Sequence, residues 1–166
     1  MMKIAFAVNS RNSAIMPWFI SMFTWSKVYH SEIIFSDDKT ITAHPDGGVE
    51  FLDNIDYDYY HWIVLPLPWI NDLEERHIRK EAERIVASGA KYDYLGAILG
   101  PIWPHMQDNN KWFCSELCAH LLYNASLTIW EDAGRGVRWF TPERIWRNLS
   151  EEISWRNKEY NHISHR

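Results

Sequence analysis

The chain has 166 residues, a formal net charge of −5 and a hydrophobic fraction of 46%, a composition typical of a single globular domain with a sizeable core. The acidic balance gives no reason to expect nucleic-acid binding, because such proteins usually carry a basic patch. Two cysteines are too few for a disulfide framework, so a reducing compartment is expected.

Targeting signals are missing from the sequence. The N-terminus has neither the apolar run nor the small-residue cleavage site of a signal peptide. No stretch reaches the about 18 apolar residues that a membrane-spanning helix needs. These features predict a cytoplasmic protein without a transmembrane segment, and they leave export by other routes open.

Strands dominate the first half of the chain. Short apolar or alternating runs, separated by Asp and Gly turns, predict an antiparallel meander. The predicted strands are 2–8, 28–36, 39–45, 49–52 and 61–67. Pro66 places the last of them at a sheet edge, because proline cannot donate to a ladder.

Two other segments of this half have a different character. Residues 14–25 are apolar and aromatic, with Pro17 close to a helix start. The acidic, tyrosine-rich stretch 53–60 predicts a loop, whose simplest role is a solvated surface.

Helical signals dominate the second half. Asn71 and Glu74 form a capping-box pattern before a helix at 72–88, which Ser88-Gly89 ends. A short helix is predicted at 92–99 and a last one from Thr141-Pro142-Glu143. The sequence thus predicts one α+β domain at 1–155 and a polar tail at 156–166.

Residues 111–123 carry the strongest chemical signal. Leu117, Leu121 and Leu122 recur at helical spacing, and Asn109 and Asn110 are possible caps before them. Cys114 is then expected in the first helical turn, where free N–H groups and the macrodipole favour an anion. A cysteine in that position becomes a thiolate, which is the nucleophilic form.

Three histidines are candidates for the general base that would accept the Cys114 proton. His120 follows it by six residues and lies on the far side of the helix. His30 and His44 bracket a hairpin, and a three-residue turn at 36–38 would place them opposite each other on one face. A two-residue turn would send the two rings to opposite faces.

Other uses of these residues are open at this point. Histidines in strands are often satisfied core residues, and a helical cysteine often behaves as a small hydrophobe. Cys114 and Cys118 with His30 and His44 would make a Cys₂His₂ metal set, although structural zinc sites usually show tighter local pairs. No metal and no cofactor is predicted.

Several segments, in this order, resemble the permuted branch of the papain-like NlpC/P60 superfamily. That branch includes the YiiX-like and the lecithin:retinol acyltransferase-like cysteine hydrolases. The similar segments are FTWSKVYH at 23–30, ITAHP at 41–45 with GGV at 47–49, YDYLG at 92–96, FCSEL at 113–117 and FTPE at 140–143. Together they cover about residues 20–148.

The resemblance implies a circularly permuted papain-like fold, in which a small antiparallel sheet packs against helices. It implies Cys114 as nucleophile, His30 as general base and His44 as the third polar residue. The implied reaction cleaves an amide or ester, or transfers an acyl group, through a thioester. Substrates would be peptides, peptidoglycan or lipids.

A second function of another class stays open. The same scaffold can serve as a non-catalytic protein-binding module, for example a phage or host-interaction protein, because function depends on the site and not on the fold. The tyrosines of 53–60 would then face a protein partner.

Overall fold

The computed structural model describes residues 1–8, 27–53, 55, 57, 61–94, 111–123 and 141–164, with side chains to Arg156. The strands are β1 Lys3–Val8, β2 Val28–Ile34, β3 Thr40–His44, β4 Gly48–Leu52, β5 Trp62–Pro66, β6 Lys91–Tyr92 and β7 Lys111–Trp112. The helices are α1 Asp72–Ala87, α2 Cys114–Tyr123 and α3 Pro142–Ser164. This order confirms the predicted α+β class.

Five strands form one antiparallel sheet in the order β4-β3-β2-β1-β5. The strands at 2–8, 28–36, 39–45, 49–52 and 61–67 are confirmed to within two residues. β5, which ends at Pro66, lies at an edge as expected, since proline lacks the N–H that an inner strand would use.

The turn between β2 and β3 has the three-residue length that the register of the histidines requires. The Phe35 N–H donates to the Lys39 carbonyl at 2.8 Å, and the Asp38 N–H donates to the Phe35 carbonyl at 3.0 Å. Asp38 adopts a left-handed backbone with φ of 63°, which Asp tolerates better than most residues.

Helix α1 holds this turn in place. The Glu75 carboxylate accepts a 2.7 Å hydrogen bond from the Ser36 N–H. Arg79 donates to Asp37 at 2.6 Å, and its guanidinium lies 4.2 Å from the centre of the Phe35 ring. The helix is therefore attached to the loop that sets the β2–β3 register.

The start of α1 is the predicted capping box. The Asn71 side chain accepts from the Leu73 and Glu74 N–H groups, and Glu74 accepts from the Asn71 N–H at 2.9 Å. Two otherwise unpaired helical N–H groups and the cap's own N–H are thereby satisfied.

The core lies between the sheet and the helices. Helix α2 packs against β2 and β3, and α3 packs against β2 and α2. The fully buried side chains include Ile4, Phe6, Ile33, Ile41, Leu117, Leu121, Leu122 and Ile145. The leucine face predicted for α2 is therefore confirmed as a core face.

The structure changes two expectations in the second half of the chain. Tyr92 belongs to the short parallel strand β6, paired with Trp112 of β7, and not to a helix. Residues 14–25 and most of 92–99 lie outside the described residues, as do Asn109 and Asn110. Helix α3 continues to Ser164 and so includes most of the segment 156–166 that the sequence separates as a tail.

Across the described residues, no helix combines the length and the apolar character that crossing a lipid bilayer requires.

Glu81 connects α1 to α2 through an ion pair that gives a testable pH dependence. Its carboxylate lies 3.0 Å from His120 Nε2 and 2.7 Å from Arg84 Nη2. The Arg84 hydrogen bond, opposed by burial and assisted by His120, lowers the pKa of Glu81 from 4.5 to about 2. The stabilisation is therefore complete above pH 4.5 and is lost as the pH falls through about 2.

We expect Glu81→Gln to lower the free energy of unfolding by about 1 kcal/mol at neutral pH. The deficit should shrink as urea unfolding is repeated at decreasing pH between 4.5 and 2. The exposed Glu83 on the same helix provides the matched control, Glu83→Gln. A deficit that is equal at all pH values, or equal in both variants, contradicts this assignment.

Candidate active site

Cys114 is the first residue of α2 and is buried, with 5% of its surface exposed. The Leu117 N–H donates to the Phe113 carbonyl at 3.0 Å, so the first helical hydrogen bond closes around the cysteine. The position of the thiol in the first turn is therefore as predicted, next to backbone N–H groups that favour an anion.

The Cys114 thiol lies beside the His30 ring, close enough for their charges and hydrogen-bonding groups to shift the pKa of both side chains. Burial acts to raise the pKa of Cys114, but the charge and hydrogen bond of His30, with backbone hydrogen bonds from Ser31 and Ser115, outweigh it. The pKa of the thiol therefore falls below its ordinary value of 9.0. The structure thus brings together the helix and the strand whose residues the sequence pairs.

The histidine is shifted in the opposite direction. Burial acts to lower the pKa of His30, but the charge and hydrogen bond of Cys114, followed by those of Glu32, raise it from 6.5 to about 10. Both shifts favour the thiolate–imidazolium form of the pair over the neutral form. This is the charge state of an activated cysteine nucleophile.

The Nε2 atom of His30 contacts two polar side chains of the sheet. Nε2 lies 3.0 Å from the Thr42 hydroxyl oxygen and 3.4 Å from Glu32 Oε2. These contacts leave Nδ1 for the sulfur of Cys114. In the imidazolium both nitrogens carry protons, so Nε2 donates to the Thr42 hydroxyl at 3.0 Å with the Glu32 carboxylate 3.4 Å away, and Nδ1 is left to donate to the thiolate.

His44 does not take the place beside His30 that the sequence suggests. It lies at the end of β3, half-exposed, where its Nδ1 accepts a 3.4 Å hydrogen bond from the Asp46 N–H. The β2–β3 register is the expected one at the two pairs next to the turn, Ile33↔Ile41 and Ile34↔Thr40. The pairing of the two strands does not extend as far as the histidines, so His44 is not held opposite His30.

Glu32 is the site residue that the sequence reasoning missed. It is two residues beyond His30 on β2, so strand alternation puts both side chains on one face. Its carboxylate is buried and accepts a 2.8 Å hydrogen bond from the Tyr57 hydroxyl. The available signal was the one acidic residue of this strand, two positions from His30 and directly before Ile33 and Ile34, because a buried carboxylate requires a partner.

Trp62 packs beside the His30 ring, and Tyr57 packs against Trp62. Trp62 and His30 both pair with Ala7, one from each side of β1. Because Ala7 is small, the two rings approach across it with centroids 6.0 Å apart and nearly perpendicular. Tyr57 packs against the same indole, with centroids 5.2 Å apart.

The remaining candidates of α2 point to structural roles. Burial raises the pKa of Cys118 well above its ordinary value. A buried neutral thiol of this kind is inert. His120 lies against the Trp112 ring and pairs with Glu81, on the far side of the helix as expected.

No group of three or more His, Cys, Asp or Glu side chains within the described ranges is arranged to hold a metal ion. The Cys₂His₂ set that the sequence leaves open is not assembled, since His44 lies at the end of β3 beside Asp46. Both cysteines are free thiols.

No family model matches the sequence, and no curated protein matches it at a significant level. The function is therefore inferred from the geometry of the site.

The two opposite pKa shifts predict how Cys114 reacts with iodoacetamide. Its pKa is lowered, so the thiolate persists below the ordinary thiol range and is lost only as the pH falls through the lowered value. Alkylation followed by mass spectrometry should modify Cys114 rapidly below about pH 7 and leave Cys118 unmodified.

His30→Ala should return Cys114 to slow, alkaline-dependent labelling, while His120→Ala on the same helix should not. Labelling of Cys114 no faster than that of an ordinary thiol at every pH would contradict the ion pair.

Proposed function

We propose that this chain is a cysteine hydrolase or acyltransferase that acts on an amide or ester bond through a thioester on Cys114. The observation that carries the proposal is the juxtaposition of buried Cys114, at the start of α2, with His30 of β2, the strand on which α2 packs. Buried thiols without a catalytic or metal role are usually neutral. Here the neighbouring imidazolium lowers the pKa of the thiol, as a nucleophile requires.

In the proposed acylation step, the Cys114 thiolate attacks the carbonyl carbon of the substrate and a carbon–sulfur bond forms. The carbonyl oxygen becomes an oxyanion, for which the Cys114 backbone N–H at the helix start is a suitable donor. The intermediate collapses, the bond to the leaving nitrogen or oxygen breaks, and His30 gives its proton to the leaving group.

In the second step, neutral His30 accepts a proton from water or from a second acceptor as it attacks the thioester carbonyl. The carbon–sulfur bond breaks, the acyl product leaves, and the thiolate–imidazolium pair is restored. Water as the acceptor gives hydrolysis, and an alcohol or amine gives acyl transfer.

Glu32 is proposed as the orienting group in place of His44. Its Oε2 lies 3.4 Å from His30 Nε2, the nitrogen that does not face the thiol. A carboxylate there fixes the ring orientation and stabilises the imidazolium, as the third member of a nucleophile–base–orienter set does. Thr42 supplies a second, uncharged acceptor at 3.0 Å.

The fold supports the resemblance to the permuted papain-like NlpC/P60 superfamily at the level of element order. The histidine strand precedes the cysteine helix, and the helix packs on an antiparallel sheet, as that resemblance implies. Peptide or peptidoglycan amides and lipid esters or amides are the proposed substrate classes.

Activity should be measured with a panel of activated aryl esters, peptidoglycan stem peptides and acyl lipids. We expect Cys114→Ala to abolish turnover and to keep the fold, and His30→Ala to lower kcat/KM by about a thousandfold or more. Glu32→Gln should lower it by about ten- to a hundredfold, because the ring keeps a hydrogen bond but loses the negative charge.

His44→Ala provides the matched control for Glu32→Gln and should change kcat/KM by less than about threefold. Cys118→Ala should retain activity. Full turnover in Cys114→Ala, or a larger loss in His44→Ala than in Glu32→Gln, would contradict the proposed assignment of roles.

A further inference from the structure

Tyr57 joins the stretch 53–60 to the buried carboxylate behind His30. Its hydroxyl donates to Glu32 Oε1 at 2.8 Å and lies 2.8 Å from the Thr40 hydroxyl oxygen. A phenol has one proton, so the proton that goes to Glu32 cannot also go to Thr40. Thr40 is therefore the donor to Tyr57, which fixes the direction of both hydrogen bonds of the Tyr57 hydroxyl.

The two oxygens of Glu32 have separate partners. Oε1 accepts from Tyr57, and Oε2 faces His30 Nε2. Rotation of the carboxylate away from His30 would break the hydrogen bond with Tyr57. Burial, followed by the charge of Glu32, raises the pKa of the Tyr57 phenol above its ordinary value of 10.0, so the hydroxyl stays protonated as a donor.

The sheet leaves room for this contact. Ala5 and Ala7 of β1 lie between β2 and β5, paired with Glu32 and His30 on one side and with Val64 and Trp62 on the other. Both alanines are buried. With only methyl groups between the neighbouring strands, the Tyr57 ring packs against Trp62 while its hydroxyl reaches the carboxylate.

We propose that Tyr57 is a positioning residue of this site, which holds the Glu32 carboxylate oriented toward His30. This inference rests on the proposed thiol chemistry and extends it from Cys114 and His30 to a residue of the stretch 53–60. Tyr57 acts through Glu32 and has no contact with the reacting atoms.

Removal of the hydroxyl has a defined consequence. The carboxylate loses the donor to Oε1, so Oε2 is no longer held toward His30 and the carboxylate can rotate. A carboxylate turned away from His30 stabilises the imidazolium less, and the thiolate that depends on the imidazolium is stabilised less in turn. On acidification, the thiolate is then lost at a higher pH than in the wild type.

The test is the pH profile of Cys114 alkylation by iodoacetamide in Tyr57→Phe, which keeps the ring against Trp62. We expect the midpoint of the acid limb of the alkylation profile to rise by about one pH unit. At pH values below the midpoint, the rate of Cys114 alkylation would then be lower by about tenfold. Tyr94→Phe, which removes a single 3.0 Å hydrogen bond from a tyrosine to the Pro45 carbonyl, is the matched control and should keep the wild-type midpoint.

A double-mutant comparison separates positioning from general destabilisation. In the Glu32→Gln background, Tyr57→Phe should produce no further shift of the midpoint, because the carboxylate through which it acts is gone. Equal shifts in both backgrounds, or a wild-type midpoint in Tyr57→Phe, would overturn the inference.

Two further outcomes are informative. If Tyr57→Phe does not fold, Thr40→Val replaces it, since this variant removes the donor to Tyr57 with little change in shape. An upward shift of the alkylation midpoint by less than the about one pH unit expected for Tyr57→Phe supports the inference, and an unchanged midpoint contradicts it. If wild-type Cys114 itself shows no reactivity in the acid range, the proposed thiol chemistry fails. A reactive wild type with an unshifted Tyr57→Phe rejects the role of Tyr57 alone.

Discussion

The contact between Cys114 and His30 joins the first turn of α2 to the second strand of the sheet, where both side chains are largely shielded from water. Two opposite charges in such a place are costly to desolvate, and each is stable only because the other is close. Backbone hydrogen bonds from Ser31 and Ser115 add to the stabilisation of the sulfur. The packing of α2 on β2 therefore determines the chemistry of the thiol.

The polar groups behind the histidine have the same dependence on one another. Glu32 is a buried anion, and its partners are the His30 ring on one oxygen and the Tyr57 hydroxyl on the other. A buried polar network of this kind is favourable when every member is satisfied and costly when one is missing. The site is thus a chain of hydrogen bonds from Thr40 through Tyr57, Glu32 and His30 to Cys114.

Local signals were sufficient to predict much of this arrangement. The capping box at Asn71 and the start of the helix at Cys114 each depend on residues close in sequence, whereas the sequence leaves the β2–β3 turn open between two and three residues and the structure shows three. The pairing of Cys114 with His30 followed from helix and strand periodicity together with the family resemblance.

The orienting group was not predictable in the same way. The choice between His44 and Glu32 depends on where the β2–β3 ladder stops, and the last pair before the histidines is Ile33↔Ile41. Tyr57 meets Glu32 across 25 sequence positions, and the two-residue strands β6 and β7 are too short to show a period. These features depend on tertiary packing, which a single sequence does not encode in any local pattern.

The central claim concerns the charge on His30, which NMR titration of the ¹⁵N-labelled imidazole measures directly. In the wild type His30 should stay doubly protonated through neutral pH and titrate near 10. In Cys114→Ala its pKa should fall, because the thiolate that raises it is gone. Titration of His30 near the ordinary histidine value of 6.5 in both proteins would contradict the ion pair and the function proposed from it.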